Sequence, residues 1–312
     1  MEHYLSCVED QPRIAPRAIP PKDVDNMIRY LRTWAIVFAV SAGVVGCTND
    51  DDDDARIVRP DIPLGDGRAY PIENVVFNTV DGAPVPVSAV FGRIPNQSRL
   101  PAVILVHDIG SPDAGAEWLF SGFFEQLLDR QIQPLAIDLR GHGGTPLPND
   151  GRSASVLVLE DLDLMHLEVQ AALTWLRTQS TVDIGRVGVV GNGAGGNLAY
   201  VSMGVFPSEL RAGVALSPGI WALQPDLEPL LVGDGLDPFA PHTMLYVVGE
   251  DDLLPISDTQ ALSYAAFADT LATETSDPKS LAVFRGTQAH GLILLQSEQA
   301  VETILSWLDT HL

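Results

Sequence analysis

Three stretches of the sequence have the layout of a catalytic site with a nucleophile, an acid and a histidine, although the nucleophile position itself holds a glycine. Residues 187–199 read VGVVGNGAGGNLA, an apolar run that enters a glycine-rich turn with Gly193 at its centre. Asp252 and His290 follow in that order, and an acid that orients an imidazole is the usual partner of a nucleophile. Asp251 is a second candidate for the acid. Gly193 has no side chain, so the residues predict that no acyl-enzyme can form on it.

The glycine-rich turn resembles the nucleophile elbow of α/β-hydrolases, whose pattern is G-x-S-x-G between a strand and a helix. Gly191 and Gly195 match the outer glycines, and Asn192 and Ala194 take the variable positions. In that family the central residue is serine, sometimes cysteine or aspartate, whereas this chain has Gly193. The resemblance therefore implies a serine-hydrolase lineage whose nucleophile has been replaced.

Other motifs resemble the same family in its usual order and extend the resemblance over residues 70–312. Residues 107–110 (HDIG) resemble the H-G-x-G loop, with Asp108 in place of the first glycine. By that resemblance, the amides of Ile109 and Ala194 form the oxyanion hole. Residues 138–143 (DLRGHG) match a turn of serine aminopeptidase-like and dienelactone-hydrolase-like members. Residues 249–255 and 289–291 resemble the loops of the catalytic acid and histidine, which implies catalytic roles for Asp252 and His290.

Several polar residues near these motifs are expected to support the site rather than react. We expect His107 and His142 to stabilise their own loops, and Asn192 to line the pocket. Ser217 follows an apolar run and is predicted to lie near the pocket but away from the elbow. The other histidines of the domain are read as ordinary ones: His166, His242 and His311.

The elements that must position these residues alternate between strands and helices. Apolar runs and alternation predict strands at 75–79, 85–91, 102–106, 134–139, 187–190, 213–216, 244–248 and 281–284. Helical spacing predicts helices at 117–129, 161–177, 260–271 and 299–308. This order predicts an α/β-hydrolase fold: a mostly parallel central sheet with helices on both faces, opened by an antiparallel hairpin around Asp81-Gly82.

The first 69 residues read as export and tethering segments. Residues 1–26 are predicted to be untranslated or disordered, with Met27 a plausible start. Residues 27–46 contain Arg29 and Arg32 before a short apolar run, the layout of a signal peptide. Their end, with Cys47, resembles the lipobox of bacterial lipoproteins, which implies cleavage before Cys47 and its lipidation. Residues 47–69 are then an acidic tether, and Thr48 after the cysteine favours the outer membrane if the cell is Gram-negative.

Composition excludes some functions. The formal net charge is -23, which argues against nucleic-acid partners because an acidic surface repels phosphates. With Cys7 outside the mature protein, Cys47 would have no partner for a disulfide. No motif indicates a metal, nucleotide or flavin, so no cofactor is predicted.

These observations leave two main functions and one lesser one. The first is a pseudoenzyme at the cell envelope that binds a small molecule, a peptide or a partner. The second is an active hydrolase of a small ester, lactone or amide, in which His290 and Asp252 act on water or on a substitute nucleophile. A purely structural lipoprotein is the third.

Overall fold

The computed structural model describes residues 62–63, 69–80, 84–95, 99–109, 111, 113–147, 164–219, 241–257 and 260–312. Its strands, in chain order, are β1 (Ile62–Pro63), β2 (Ala69–Tyr70), β3 (Ile72–Asn78), β4 (Pro86–Gly92), β5 (Leu100–Val106), β6 (Gln133–Ile137), β7 (Val182–Asn192), β8 (Ala212–Leu216), β9 (His242–Gly249), β10 (Leu253–Ser257), β11 (Gln260–Ser263) and β12 (Ser276–Phe284). Its helices are α1 (Ala114–Phe120), α2 (Phe123–Asp129), α3 (His166–Leu176), α4 (Ala194–Val205), α5 (Tyr264–Glu274) and α6 (Glu298–His311), with a 3₁₀ helix at Gly291–Gln296.

Eight of these strands form one sheet in the order β12-β9-β8-β7-β5-β6-β4-β3. All neighbours from β12 to β6 pair in parallel, whereas β4 pairs antiparallel with both β6 and β3. The predicted mostly parallel sheet with an antiparallel hairpin at its start is therefore confirmed. The predicted site loops follow β5, β7, β9 and β12, whose carboxyl ends lie along one edge of this parallel part of the sheet.

Helices cover both faces of the sheet, which explains why its central strands are apolar on both sides. Along β5, Ile104 and Val106 belong to one buried cluster and Val103 and Leu105 to the other. Residues of α3, α4 and α5 contribute to the first cluster, and residues of α1, α2 and α6 to the second. The two clusters hold the carboxyl edge of the sheet between rigid layers.

Two helix predictions were wrong in part. The helix predicted at 117–129 is two short helices, α1 and α2, because Gly122 between them has φ +75°, outside the helical region. The helix predicted at 260–271 begins only at Tyr264, since residues 260–263 form β11 and pair antiparallel with β10. Ser263 ends that strand and caps α5 by accepting a hydrogen bond from the amide of Ala266 at 3.3 Å.

The export features lie almost wholly outside the described residues. Residues 1–26, the signal peptide at 27–46 and Cys47 are not among them, and of the tether only 62–63 and residue 69 are. Within the described ranges no helix is both long and apolar enough to cross a membrane.

Candidate active site

The tight bend between β7 and α4 places Gly193 at the carboxyl edge of the sheet. Gly193 has φ +56° and ψ −116°, a strained conformation for any residue with a side chain. The flanking glycines permit the close passage of strand and helix. A β-carbon on Gly191 would lie 1.8 Å from the carbonyl oxygen of Gly195, and one on Gly195 would lie 2.4 Å from that of Val106. The bend thus has the geometry that the sequence predicted for an elbow.

His290 and Asp252 lie together, as the sequence predicted. The Nδ1 of His290 is 2.9 Å from Oδ2 and 3.1 Å from Oδ1 of Asp252. Asp252 follows β9 and is buried, whereas the neighbouring Asp251 is exposed. Of the two acids that the sequence left open, Asp252 is the one that contacts the imidazole.

Ser217 holds this acid in place, a role that sequence reasoning missed. Its hydroxyl donates to Oδ2 of Asp252 at 2.7 Å and accepts from the amide of Gly291 at 3.0 Å. Ser217 is fully buried and directly follows β8, the neighbour of β9 in the sheet. Its position at the carboxyl end of a strand beside the acid loop was the available signal.

The ring of Tyr264 packs against the imidazole of His290. Sequence reasoning also missed this residue, because it fell within a predicted helix. Its ring centroid lies 4.5 Å from that of His290, and its backbone amide donates to the carbonyl oxygen of Asp252 at 3.1 Å. Burial, with the charges of Asp108 and Asp252, raises the pKa of Tyr264 to about 12. The phenol is therefore neutral at ordinary pH.

The two amides predicted as an oxyanion hole converge on one oxygen of the chain itself. The amides of Ile109 and Ala194 each donate to Oδ1 of Asp108 at 2.8 Å. Asp108 is the residue that departs from the H-G-x-G pattern. The pocket predicted for a substrate oxygen thus holds a carboxylate oxygen of the protein.

The side chain of Asp108 also fills the space beside Gly193. A β-carbon built on Gly193 would meet Cγ of Asp108 at 2.3 Å and both carboxylate oxygens at 2.4 Å. No real β-carbon is found so close to other atoms, so a side chain at residue 193 and the carboxylate of Asp108 exclude each other. Asp108 therefore stands where the side chain of an elbow nucleophile would begin.

The model of the alpha/beta hydrolase family matches residues 103–308, more than half of the chain. The chain belongs to the alpha/beta hydrolase family. No curated protein matches it in sequence.

Solved structures of other proteins are similar to this chain in fold. The Pyrococcus furiosus esterase Pf2001 is 18% identical, with a TM-score of 0.56 over 78% of this chain and 93% of that one. A dienelactone hydrolase from Anabaena variabilis is 19% identical, with a TM-score of 0.53 over 77% of this chain and 99% of that one. At such identities the likeness shows the fold alone.

Two groups at the site of this alpha/beta hydrolase, Asp108 and His290, have raised pKa values for different reasons. Burial raises the pKa of Asp108, against the opposing effects of its hydrogen bonds from Ala194 and Ile109 and of nearby His290 and His142. Burial lowers the pKa of His290, but the hydrogen bond that its Nδ1 donates to Asp252 and the charges of Asp252 and Asp108 outweigh burial, so the pKa is raised above the ordinary value for histidine. The site thus pairs an imidazole with carboxylates on two sides.

A cavity of about 550 Å³ opens beside this group. Such a volume suits a small molecule. Its described lining combines polar residues with apolar ones, of which Phe120 and Ile293 are largely exposed: Asp108, Ile109, Ser111, Asp113, Ala116, Glu117, Phe120, Asn192, His290, Leu292 and Ile293. Burial raises the pKa of Glu117 against the opposing influence of the nearby Ser111 hydroxyl, and the charge of Asp108 raises this pKa further. Asn192 lines the cavity as predicted, with its amide 3.4 Å from Oε1 of Glu117.

The other histidines near the site support loops, in agreement with the sequence reading. The buried ring of His107 accepts from the amide of Leu139 at Nε2 (2.9 Å), so its Nδ1 donates to the carbonyl oxygen of Asp108 at 2.6 Å. Burial lowers the pKa of His107 to about 4, which keeps it neutral. His142 lies beside it, with ring centroids 4.9 Å apart. In the described part of the chain, no three acids, histidines or cysteines are grouped to hold a metal ion.

Proposed function

We propose that this chain is a hydrolase that works without a serine nucleophile, using the imidazole of His290 to take a proton from water. The observation that carries the proposal is the hydrogen-bonded pair of Asp252 and His290, 2.9 Å apart at the edge of a cavity. Burying a carboxylate is costly unless it is paired and hydrogen-bonded. Asp252 has such partners in His290 and Ser217, and they fix the imidazole with Nε2 as its free basic nitrogen.

Ordinary serine chemistry does not fit this site. Residue 193 supplies no hydroxyl, and the amides of Ile109 and Ala194 are already engaged by Asp108. A substrate carbonyl oxygen would have to displace that carboxylate before it could accept from either amide. A hydrolase built on these residues therefore keeps the histidine base of the family but does not form an acyl-enzyme on residue 193.

A second candidate is a pseudoenzyme that binds a small uncharged ligand. Its support is the carboxylate of Asp108, which occupies the amides of Ile109 and Ala194 and so keeps a substrate oxygen from binding to them. On this alternative, the cavity beside Asp108 is the ligand site and the histidine pair serves only to stabilise its loops.

Hydrolysis by matched variants separates the two candidates. The purified protein is assayed with 4-nitrophenyl acetate, γ-butyrolactone and styrene oxide. The variants His290→Gln and Asp252→Asn are compared with the control His311→Gln, whose residue lies at the end of α6. We expect turnover by the parent and by His311→Gln, and a loss of about 10²-fold or more without His290, the scale of general base catalysis. Turnover that is unchanged in His290→Gln, or the absence of turnover with all three substrates, would contradict the proposed hydrolase activity. Labelling of a serine by a fluorophosphonate would contradict the loss of serine chemistry.

We further propose that the protein is exported and anchored to the cell envelope by a lipid on Cys47. The support is the sequence of residues 27–47, with two arginines, a short apolar run and the lipobox-like end. In a bacterial host fed with an alkyne palmitate, the parent should carry the label and sediment with membranes, because acyl chains bury in the bilayer. Cys47→Ser should lose both properties, while Cys7→Ser should keep them. An unlabelled parent would contradict the anchor.

A further inference from the structure

Two departures from the family pattern lie against each other in space. Where the resemblance gives a glycine after His107 and a reactive residue at the elbow, this chain has Asp108 and Gly193. The three carboxyl atoms of Asp108 lie within 2.4 Å of the place that a β-carbon of residue 193 would take. The reactive group and the glycine have in effect changed places between the two loops.

The bound oxygen identifies the carbon at which hydrolysis must occur. An oxyanion hole stabilises the oxygen of the carbon that becomes tetrahedral. Here the amides of Ile109 and Ala194 hold Oδ1 of Asp108, so the matching tetrahedral carbon is Cγ of Asp108. This arrangement suits the hydrolysis of an ester of Asp108, in which the protein supplies the acyl group and the substrate supplies the alkyl group.

We propose that Asp108 is the nucleophile of this hydrolase and that its substrate is a small uncharged epoxide. This inference rests on the proposed function, because its second step uses His290 as the base. Carboxylates are known covalent nucleophiles in enzymes, so the chemistry is within the ordinary range of the residue. Gly193 is then required, since any side chain there would displace the carboxylate.

In the first step an oxygen of Asp108 attacks a ring carbon of the epoxide. A carbon–oxygen bond to Asp108 forms, the ring carbon–oxygen bond breaks, and the ring oxygen takes the proton of the Glu117 carboxyl. Glu117 lines the same cavity as Asp108, and burial raises the pKa of its carboxyl, which increases the share of the protonated acid there. The product of this step is a hydroxyalkyl ester of Asp108.

In the second step His290 takes a proton from water, and the hydroxide adds to Cγ of Asp108. The negative charge gathers on Oδ1, which already accepts from Ile109 and Ala194. The tetrahedral species collapses, the alkoxide leaves and takes the proton of His290, and a diol is released. The proton of the regenerated Asp108 carboxyl returns to Glu117 through solvent, so the sum is epoxide and water to diol.

The charge of the cavity selects this substrate class. Asp108, Asp113 and Glu117 line it, and Asp252 lies behind His290. A leaving halide or phosphate would be repelled by these carboxylates, whereas an epoxide releases no separate anion. The exposed Phe120 and Ile293 on the lining favour an apolar substituent on the ring.

A single turnover in H₂¹⁸O tests the nucleophile in the unchanged protein. Enzyme in excess is mixed with styrene oxide, 1,2-epoxyoctane or phenyl glycidyl ether, and the peptide containing Asp108 is analysed by mass spectrometry. The ester route places one ¹⁸O in the carboxyl of Asp108 and none in the first diol. Direct attack by water places ¹⁸O in the diol and leaves Asp108 unlabelled, which would overturn the inference while leaving a His290-dependent hydrolase intact.

Trapping of the ester provides the second measurement. His290→Gln should accumulate an adduct on Asp108 with the mass of the added epoxide, because ester formation does not need the base. Asp108→Asn should form no adduct and lose turnover, whereas Asp269→Asn on the exposed face of α5 should behave as the parent. If none of the three epoxides labels Asp108 in the parent or in His290→Gln, the inference is wrong. If esters and lactones are also not turned over, the proposed function fails with it.

Discussion

At the scale of single residues, the groups around Asp108 determine both the position and the pKa of its carboxylate. Hydrogen bonds from two amides to a charged oxygen are stronger than those between neutral groups. They act against the burial that raises the pKa of Asp108, and the nearby imidazole of His290 acts in the same direction. The carboxylate is thus held by the same groups that a hydrolase uses to stabilise a reaction intermediate. A change at residue 193 consequently has to be considered together with residue 108.

Restoring a serine at the elbow should require two substitutions. Gly193→Ser alone should place its β-carbon 2.3 Å from Cγ of Asp108. Overpacking of this kind costs about 1–3 kcal/mol, which urea unfolding would measure. We expect no labelling by a fluorophosphonate in this single variant. The double variant Asp108→Gly/Gly193→Ser should recover stability and become labelled, because it restores the family pattern in both loops.

The matched control for this pair is Asp108→Gly alone, which opens the oxyanion amides without adding a hydroxyl. It should remain unlabelled. Labelling of the single Gly193→Ser variant to the same extent as the double variant would show that Asp108 moves aside readily.

The pKa of the His290 imidazole should lie above the ordinary value for histidine. Burial alone would lower its pKa, but the hydrogen bond and charge of Asp252 with the charge of Asp108 raise it. The base form of His290 is therefore lost as pH falls through this raised pKa, and activity should fall with it. Asp252→Asn removes a raising influence, so the midpoint should move to lower pH. Imidazole signals in NMR measure this without a substrate, with His311 as an internal reference.

A midpoint of His290 that is unchanged in Asp252→Asn would contradict this account. Asp108→Asn should also lower the midpoint, by less, because the charge of Asp108 is the smallest of the causes. The order of the two shifts thus separates the contacting acid from the more distant one.

At the scale of elements, the sequence predicted those features that depend on local pattern. The buried strands β5, β8 and β9 are continuous apolar runs, and the order of turn, acid and histidine placed the elbow, Asp252 and His290 correctly. Hairpin β10–β11 was missed because residues 260–271 also have helical spacing. The filling of the elbow by Asp108 could not be predicted, since it depends on contact between loops that are 85 residues apart in sequence.

Gly122 separates α1 from α2, and its replacement should have a purely conformational cost. A β-carbon there would meet nothing within 4 Å, and the same is true of Gly286, whose φ is +65°. Left-handed backbone costs a residue with a side chain roughly 1–2 kcal/mol. Gly122→Ala and Gly286→Ala should each lower the free energy of unfolding by about this amount, as measured in urea.

Gly185→Ala is the control for these two variants. Gly185 is not among the glycines with positive φ, and its β-carbon would meet Asp183 at 3.4 Å. Its unfolding free energy should change by less than either of the others. Equal effects at all three positions would show that loss of glycine, rather than its φ, determines the cost.

At the scale of the whole molecule, the excess of acidic residues determines which ligands approach the domain easily. The formal net charge of -23 comes from residues 47–312, since residues 1–46 carry equal numbers of acids and bases. An acidic domain is repelled by anionic lipid headgroups. Ligands that reach the cavity from solvent therefore approach a strongly acidic protein.

The same charge should select among those ligands by sign. An anionic substrate approaches against the field of the protein, and salt screens that field over about 10 Å at 0.1 M. For 4-carboxystyrene oxide, kcat/KM should therefore rise severalfold as sodium chloride is raised from low to physiological concentration. For styrene oxide, the uncharged partner of this pair, kcat/KM should stay nearly constant. Because repulsion acts on approach rather than on the bound complex, the rise in kcat/KM should come from a lower KM, with kcat little changed. If kcat/KM for the two epoxides depended on salt in the same way, the acidic surface would have no effect at the cavity. Charge would then not explain the selectivity of the cavity.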